Sequence, residues 1–202
     1  MTIIKIQLPP FFIKFGKEPF INELRNNGVV YFNSLNYFKN IENDEVRRDA
    51  LEGAINIKQV NDLQVFHEGK LIARQVPGSN AQLYFHDKEN NGKVFSLYAI
   101  TEKEHTVPDF GFDNRLLKFG DKLLLITNTK IFIERLIKQI NSKKLHFDLG
   151  YVSYYDKNLY SGKLDPFHKP DLFKYQNEFR VYIQSKDQMP SKVEIGSIKN
   201  IT

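Results

Sequence analysis

The chain has 202 residues, enough for one sizeable core, with 29 basic and 24 acidic side chains and a formal net charge of +5. It contains no Cys, which excludes disulfides, thiolate metal ligands and a cysteine nucleophile. No apolar run approaches the ~20 residues of a membrane-spanning helix, and residues 1–10 are too short in apolar length for a signal peptide, so a cytoplasmic protein away from membranes is expected.

The aromatic residues are 17 Phe and 10 Tyr with no Trp, many in short runs with Val and Ile, a strand-rich composition. Residues 1–129 carry equal numbers of basic and acidic side chains, so the whole positive excess lies in 130–202. That excess is either ordinary solvated surface or a field that steers a phosphate-bearing partner.

Taken in order, 11–15 reads as a first core strand behind Pro9 and Pro10 and closed by Gly16. Residues 18–27 read as a helix, with Pro19 in the first turn, Phe20, Ile21 and Leu24 at helical spacing, and Asn26, Asn27 and Gly28 as the stop. A second strand spans 29–32, and Asn33 with Ser34 caps a short turn or helix carrying Leu35, Tyr37 and Phe38. The charged run 42–52 is either an exposed polar loop or a lid whose Arg47 or Arg48 reaches a phosphate. Strands are expected at 54–57, 63–67, 71–75 and 81–86, with a hairpin turn at 68–70.

Residues 93–101 read as a buried central strand, and 102–119 as a polar loop over one end of the sheet. The continuous apolar run 123–126 predicts a strand covered on both faces. Helix 130–141 has Phe132, Leu136 and Ile140 along one stripe, with Ile133 and Ile137 beside them. A strand at 145–155 carries a bulge near Gly150, a loop follows at 156–170, and a last short strand lies near 193–198. The sum is a single α+β domain over 1–202, mainly antiparallel, with eight to ten strands and two or three helices.

The most informative stretch is 174–183. Phe179, Val181 and Ile183 fall on one face of a strand, while Glu178, Arg180 and Tyr182 fall on the other, with Gln176 at the same parity. Two readings stand: a site edged by a carboxylate, a guanidinium and an amide, or a half-exposed strand whose Glu178 and Arg180 pair with neighbours. Elsewhere the chemistry thins out. The five His are dispersed without metal-ligand spacing, no Walker loop or dinucleotide-binding glycine pattern occurs, and Ser34, Ser96 and Ser153 lack a nucleophile elbow, so no metal site is expected. His146, His168, Lys169 and Arg180 in the basic third are compatible with metal-independent RNA cleavage, which needs acid–base groups and a cation.

Leu24, Gly28, Tyr31, Phe32, Ser34 and Phe38, then Asp49, Glu52 and Gly53, then Ser96 and Tyr98, then Gln176, Glu178, Phe179 and Arg180 occur in that order. This set resembles a broad group of uncharacterised bacterial proteins, often in mobile or defence-associated loci, with a late [EQ]-x-E-[WFY]-R motif. A second resemblance rests on Lys14 to Lys17, Tyr31 to Ser34 and Gln176-Asn177-Glu178, with helix 18–27 between the first two. It is similar to the ADP-ribosyltransferases, which split an NAD site over three strands and place the key Glu on a late strand.

That resemblance implies NAD as cofactor, with Glu178 holding the ribose and stabilising oxocarbenium character, Gln176 orienting the acceptor and Arg180 beside them. Lys14 and Lys17 would hold the pyrophosphate, and Tyr31 or Phe32, with Ser34, would form the nicotinamide side. Lys stands here where those enzymes have Arg or His, a point charge in place of a bidentate fork. The implied function is a toxin or phage-defence effector that transfers ADP-ribose to a protein or nucleic acid. The alternatives are a non-catalytic module that binds a host or phage protein or a nucleic acid in a defence or counter-defence system, and a metal-independent RNA-cleaving toxin. The transferase reading requires Lys14, Tyr31 and Glu178 to share one cleft, and expects Glu178→Ala to lose transfer while keeping its fold.

Overall fold

A computed structural model describes residues 6–41, 48–86, 92–105 and 111–202, the side chains of residues 103 and 105 excepted. Strand β7 (Gly92–Ile100) is its axis, buried along nearly its whole length as its apolar composition requires. Strand β13 (Glu178–Gln184) runs antiparallel to one edge of β7 over seven residue pairs, and β9 (Phe147–Tyr151) extends the sheet beyond β13.

The other edge of β7 is shared. Strand β1 (Phe11–Gly16) pairs with residues 98–100, and β2 (Val29–Ser34) pairs with residues 93–94. Both run antiparallel to β7, so β1 and β2 are parallel to each other and need a crossover. Helix α1 (Glu18–Asn27) supplies it, entering at Pro19 and leaving through left-handed Gly28, whose N–H bonds the Leu24 carbonyl.

From β7 outwards the two strands diverge. β1 continues onto β8 (Lys122–Ile126), and β2 continues onto β14 (Ser191–Glu194). The sheet therefore forks, and the β7 edge at residues 95–97 faces the gap between the prongs.

One face carries the main core. Helix α4 (Thr129–Ser142), capped by Asn128 accepting from the Ile131 N–H at 3.0 Å, presses Phe132, Ile133, Leu136 and Ile140 against Phe95, Leu97, Phe179 and Val181. The other face is covered at one end by Ile13, Phe15, Tyr98, Ile100 and Leu116. A smaller sheet joins β3 (Ala54–Val60) to β6 (Ala81–His86) and β11 (Gly162–Lys163), with Ala54, Ile57, Tyr155 and Leu164 as its own cluster. Hairpin β4 (Gln64–His67) and β5 (Lys70–Arg74) is exposed throughout.

The α+β, mainly antiparallel architecture expected from the sequence is what the structure has, although its strands and helices outnumber the eight to ten and two or three expected. Four local expectations change. β8 is an edge strand, with Leu123 50% and Leu125 38% exposed, so its continuous apolar run is covered on one face only. Residues 102–119 hold a short helix α3 (Glu102–His105) and a 3-10 turn (Asn114–Phe119), and residues 171–176 form another 3-10 turn instead of extended chain. The loop 156–170 contains β11 and β12 (His168–Pro170), the latter pairing in parallel with β10 (Ser153–Tyr155). No helix among the described residues is long and apolar enough to cross a membrane.

Candidate functional site

The alternation on β13 divides its side chains as the pleat dictates. Phe179, Val181 and Ile183 are buried in the main core, and Glu178 and Arg180 point away from it into a polar cluster that is also buried. Arg180 is 1% exposed, so every N–H of its guanidinium needs an acceptor. Its Nη1 and Nη2 donate to Glu52 Oε1 and Oε2, both at 2.8 Å, and its Nε donates to Glu178 Oε1 at 2.5 Å. Nη1 also donates to the Pro166 carbonyl.

Glu178 is held from three sides. Ser96 on β7, directly opposite Arg180 on β13, donates its hydroxyl to Oε1, and Lys169 donates to Oε2 at 2.8 Å. Lys169 also donates to Gln176 Oε1 at 2.8 Å and lies 5.2 Å from the Phe173 ring centre. The Tyr154 hydroxyl accepts the Glu178 N–H at 3.0 Å. Among the described residues no buried side-chain nitrogen or oxygen lacks a partner.

The charges follow from this packing. Burial alone would raise the Glu178 carboxyl, but Arg180 and Lys169 outweigh it and hold the group well below the usual carboxylate range. Burial would likewise lower Arg180, and Glu178 and Glu52 together push it above its ordinary value. At Asp49, behind Glu52, burial first and then the Glu52 charge outweigh Lys169 and Arg180 and raise the carboxyl to about 6. Among the described residues no group of His, Asp and Glu is arranged to hold a metal ion.

The fork opens a cavity of about 510 Å³ against this cluster. Its lining includes Ser96, Tyr98, Glu178 and Arg180 from one sheet face and Phe95, Leu97, Ile21 and Leu24 from the other, so it passes through the sheet where the prongs separate. Lys14 bridges the gap, its Nζ donating at 2.7 Å to the Ser96 carbonyl and lying 4.6 Å from the Phe95 ring centre. Among the described lining residues the cations are Lys14, Lys17, Lys169 and Arg180, and the only acid is Glu178. The apolar share is strongly aromatic, with Phe20, Tyr31 and Tyr37 exposed at the rim.

Lys14, Lys17, Tyr31, Gln176, Glu178 and Arg180 therefore line one cavity. Phe32 and Ser34 do not. Phe32 has the opposite parity to Tyr31 on β2 and is fully buried against Phe95, ring centres 5.9 Å apart. Ser34 is the N-cap of α2 (Leu35–Asn40), its hydroxyl accepting the Tyr37 N–H at 3.1 Å. His146 and His168 are also outside the lining, and His168 binds Asp165 at 2.8 Å.

The lid reading of 42–52 lies largely outside the described residues; of its described part, Asp49 and Glu52 are buried and Arg48 is exposed. Glu52 and Lys169 complete the cluster, and sequence reasoning assigned neither to it. The signal for both was physical: an inward-facing Arg on a strand beside Phe179 and Val181 demands more than one buried counter-charge. The same burial weighs against the expectation that Glu178→Ala keeps its fold, because that change leaves the buried Lys169 without a carboxylate and Arg180 with Glu52 alone.

Compared with protein-family models, curated proteins and solved structures, the chain matches none of them.

Proposed function

We propose that this chain is an ADP-ribosyltransferase-like enzyme that takes NAD into the cavity between β1 and β2. The observation that carries the reading is the fork: parallel β1 and β2, joined by α1, separate beside β7 and bring Lys14, Lys17, Tyr31, Gln176 and Glu178 onto one cavity. An excess of cations suits a pyrophosphate, and an aromatic rim suits a heterocycle that must stack.

In such a transfer the bond from the ribose C1′ to the nicotinamide nitrogen breaks, and its electron pair leaves with nicotinamide. A bond from C1′ to the acceptor forms, and the acceptor's proton passes to solvent. Glu178 Oε1 accepts from both Ser96 and Arg180, whereas Oε2 accepts from Lys169 alone among the described residues. Oε2 thus keeps the lone pair that would accept a ribose hydroxyl. The set of Asp49, Glu52, Ser96, Gln176, Glu178 and Arg180, which resembles a group found in defence-associated loci, supports a toxin or defence effector as the setting.

A second reading, a non-catalytic binding module, is favoured by one observation: two cations and a hydroxyl already engage Glu178, as in a purely structural ion-pair cluster. NAD carrying a label on its adenylate half separates the two. Transfer predicts nicotinamide release, labelled acceptor and a higher Tm in NAD, since a ligand of the native state stabilises it. A higher Tm without nicotinamide release means that NAD binds uncleaved, which overturns transfer. An unchanged Tm in millimolar NAD with no release overturns the transferase reading and leaves the module that binds a protein or nucleic acid.

A further inference from the structure

Beyond Tyr31, which the NAD reading uses, the rim of the cavity carries two further exposed rings, Phe20 and Tyr37. Phe20 is 61% exposed, Tyr37 43% and Tyr31 39%, although all three are large rings in a protein with a well-filled core. They come from three consecutive elements, α1, β2 and α2, and converge because β2 follows one prong of the fork. Phe20 and Tyr31 are neighbours, with ring centres 6.5 Å apart. Tyr37 in turn meets Phe38 edge-on at 5.3 Å, which fixes its plane.

The charges beside these rings are of both signs, two lysines and two glutamates. Lys17 stands at the start of α1 on the cavity lining, and Lys192 is the cross-strand partner of Tyr31 on β14, so both side chains leave the same sheet face. α1 also carries Glu18 and Glu23, and Glu23 lies 3.5 Å from Lys192. That pair is exposed on both sides, and such pairs yield readily to a competing phosphate. Behind the rim, the interior holds Lys14, Lys169 and Arg180 against Glu178.

We infer that this rim is a stacking platform for unpaired bases of a single-stranded nucleic acid, whose phosphates lie along Lys17 and Lys192. Exposed π faces next to cations take any base, because every base has a π face, and base–aromatic stacking is sequence-tolerant. The platform engages base faces and phosphates and makes no demand on the sugar, so single-stranded DNA and RNA bind alike. A duplex, whose bases are stacked inside, binds only through its phosphates. The platform stands without the transferase reading.

The test is fluorescence anisotropy of labelled homopolymeric DNA and RNA strands of about 15 nucleotides, and of the matching duplex, over a salt series without NAD. Single strands bind, DNA and RNA within a few-fold of each other, and the duplex binds more weakly. Phe20→Ala and Tyr37→Ala each weaken single-strand binding by about 5- to 100-fold while the melting curve stays cooperative. Lys17→Met lowers the slope of log affinity against log salt by roughly 0.7.

Equal binding of duplex and single strand overturns the platform, as does wild-type affinity in both aromatic variants. Absence of binding at low salt also overturns it and leaves a protein surface as the partner. The Tm of the same preparations in NAD is measured in parallel. Strand binding without an NAD effect defeats the transferase reading and keeps the platform; an NAD effect without strand binding does the reverse.

Discussion

Arg180 and Glu52 face each other through two parallel N–H···O bonds of 2.8 Å, although 128 residues separate them along the chain. Both side chains are 2% exposed. The pair ties β13 of the main sheet to the turn that precedes β3 of the smaller one. Arg suits this position because its planar fork meets a carboxylate with two bonds at once.

Removing either partner strands a buried charge. Glu52→Ala and Arg180→Met are each expected to cost about 3–5 kcal/mol, and the double variant less than the sum of the two. Arg180→Lys is not expected to rescue, since an ammonium cannot reach Glu52 and Glu178 together with fork geometry. Urea unfolding of the four proteins measures the coupling; strict additivity would show that the pair contributes nothing beyond its separate surroundings.

The cluster imposes an acid limit. The folded-state carboxyl of Glu178 lies below its ordinary value of 4.5, so its contribution is fully present above that pH and is lost as pH falls towards the folded value. Wild-type stability should therefore drop below about pH 4.5 with a steepness that Glu178→Gln, already weaker at neutral pH, does not share. Melting curves between pH 3 and 7 decide this, and parallel acid limbs for the two proteins would remove Glu178 as the cause.

Asp49 acts with the opposite sign. Its carboxyl is raised from 3.8 to about 6, so the folded protein holds a proton there that the unfolded chain has lost. Stability contributed by this group declines as pH rises from about 4 to 6 and is level above that. Asp49→Asn keeps an oxygen for the Leu51 N–H, a bond of 2.9 Å, and removes the charge. The variant is expected to gain on the wild type by roughly 2–3 kcal/mol between those limits. A stability difference independent of pH would refute the assignment.

Gly28 is needed twice over. Its φ is +69°, and a Cβ there would stand 1.9 Å from the Gly196 carbonyl oxygen, a backbone atom in the segment after β14. Gly28→Ala should cost more than the ~1 kcal/mol of left-handed strain alone, because α1 or the 195–198 segment must shift. It should also weaken ligand binding at the fork, since α1 carries the Lys17 and Phe20 rim. Chemical denaturation together with NAD and oligonucleotide titrations tests both effects.

Much of the local structure is written in short-range patterns. Pro19 and Gly28 delimit α1, the Ser34 side chain caps α2, and the stripe of Phe132, Leu136 and Ile140 makes α4. The alternation of Phe179, Val181 and Ile183 against Glu178 and Arg180 is present in the linear chain and reappears as two faces of β13. Where local pattern misled, tertiary context was the reason. The apolar run 123–126 suits a buried strand or an edge strand equally, and only the end of the sheet at β8 decides which. Phe32 and Tyr31 are adjacent aromatics, and the direction of the pleat alone sends one into the core and the other to the rim.

The 178–183 stretch itself determined that a carboxylate and a guanidinium leave one side of a strand while three apolar groups leave the other, because side-chain parity is a property of extended backbone. It could not say that both charged groups are buried, or that Glu52, Ser96 and Lys169 meet them from three distant segments. That was decided by the pairing of β13 with β7 and by the turn before β3 and strand β12 meeting the polar side of β13. Contacts across such separations are set by strand pairing and layer packing, which no window of neighbouring residues contains.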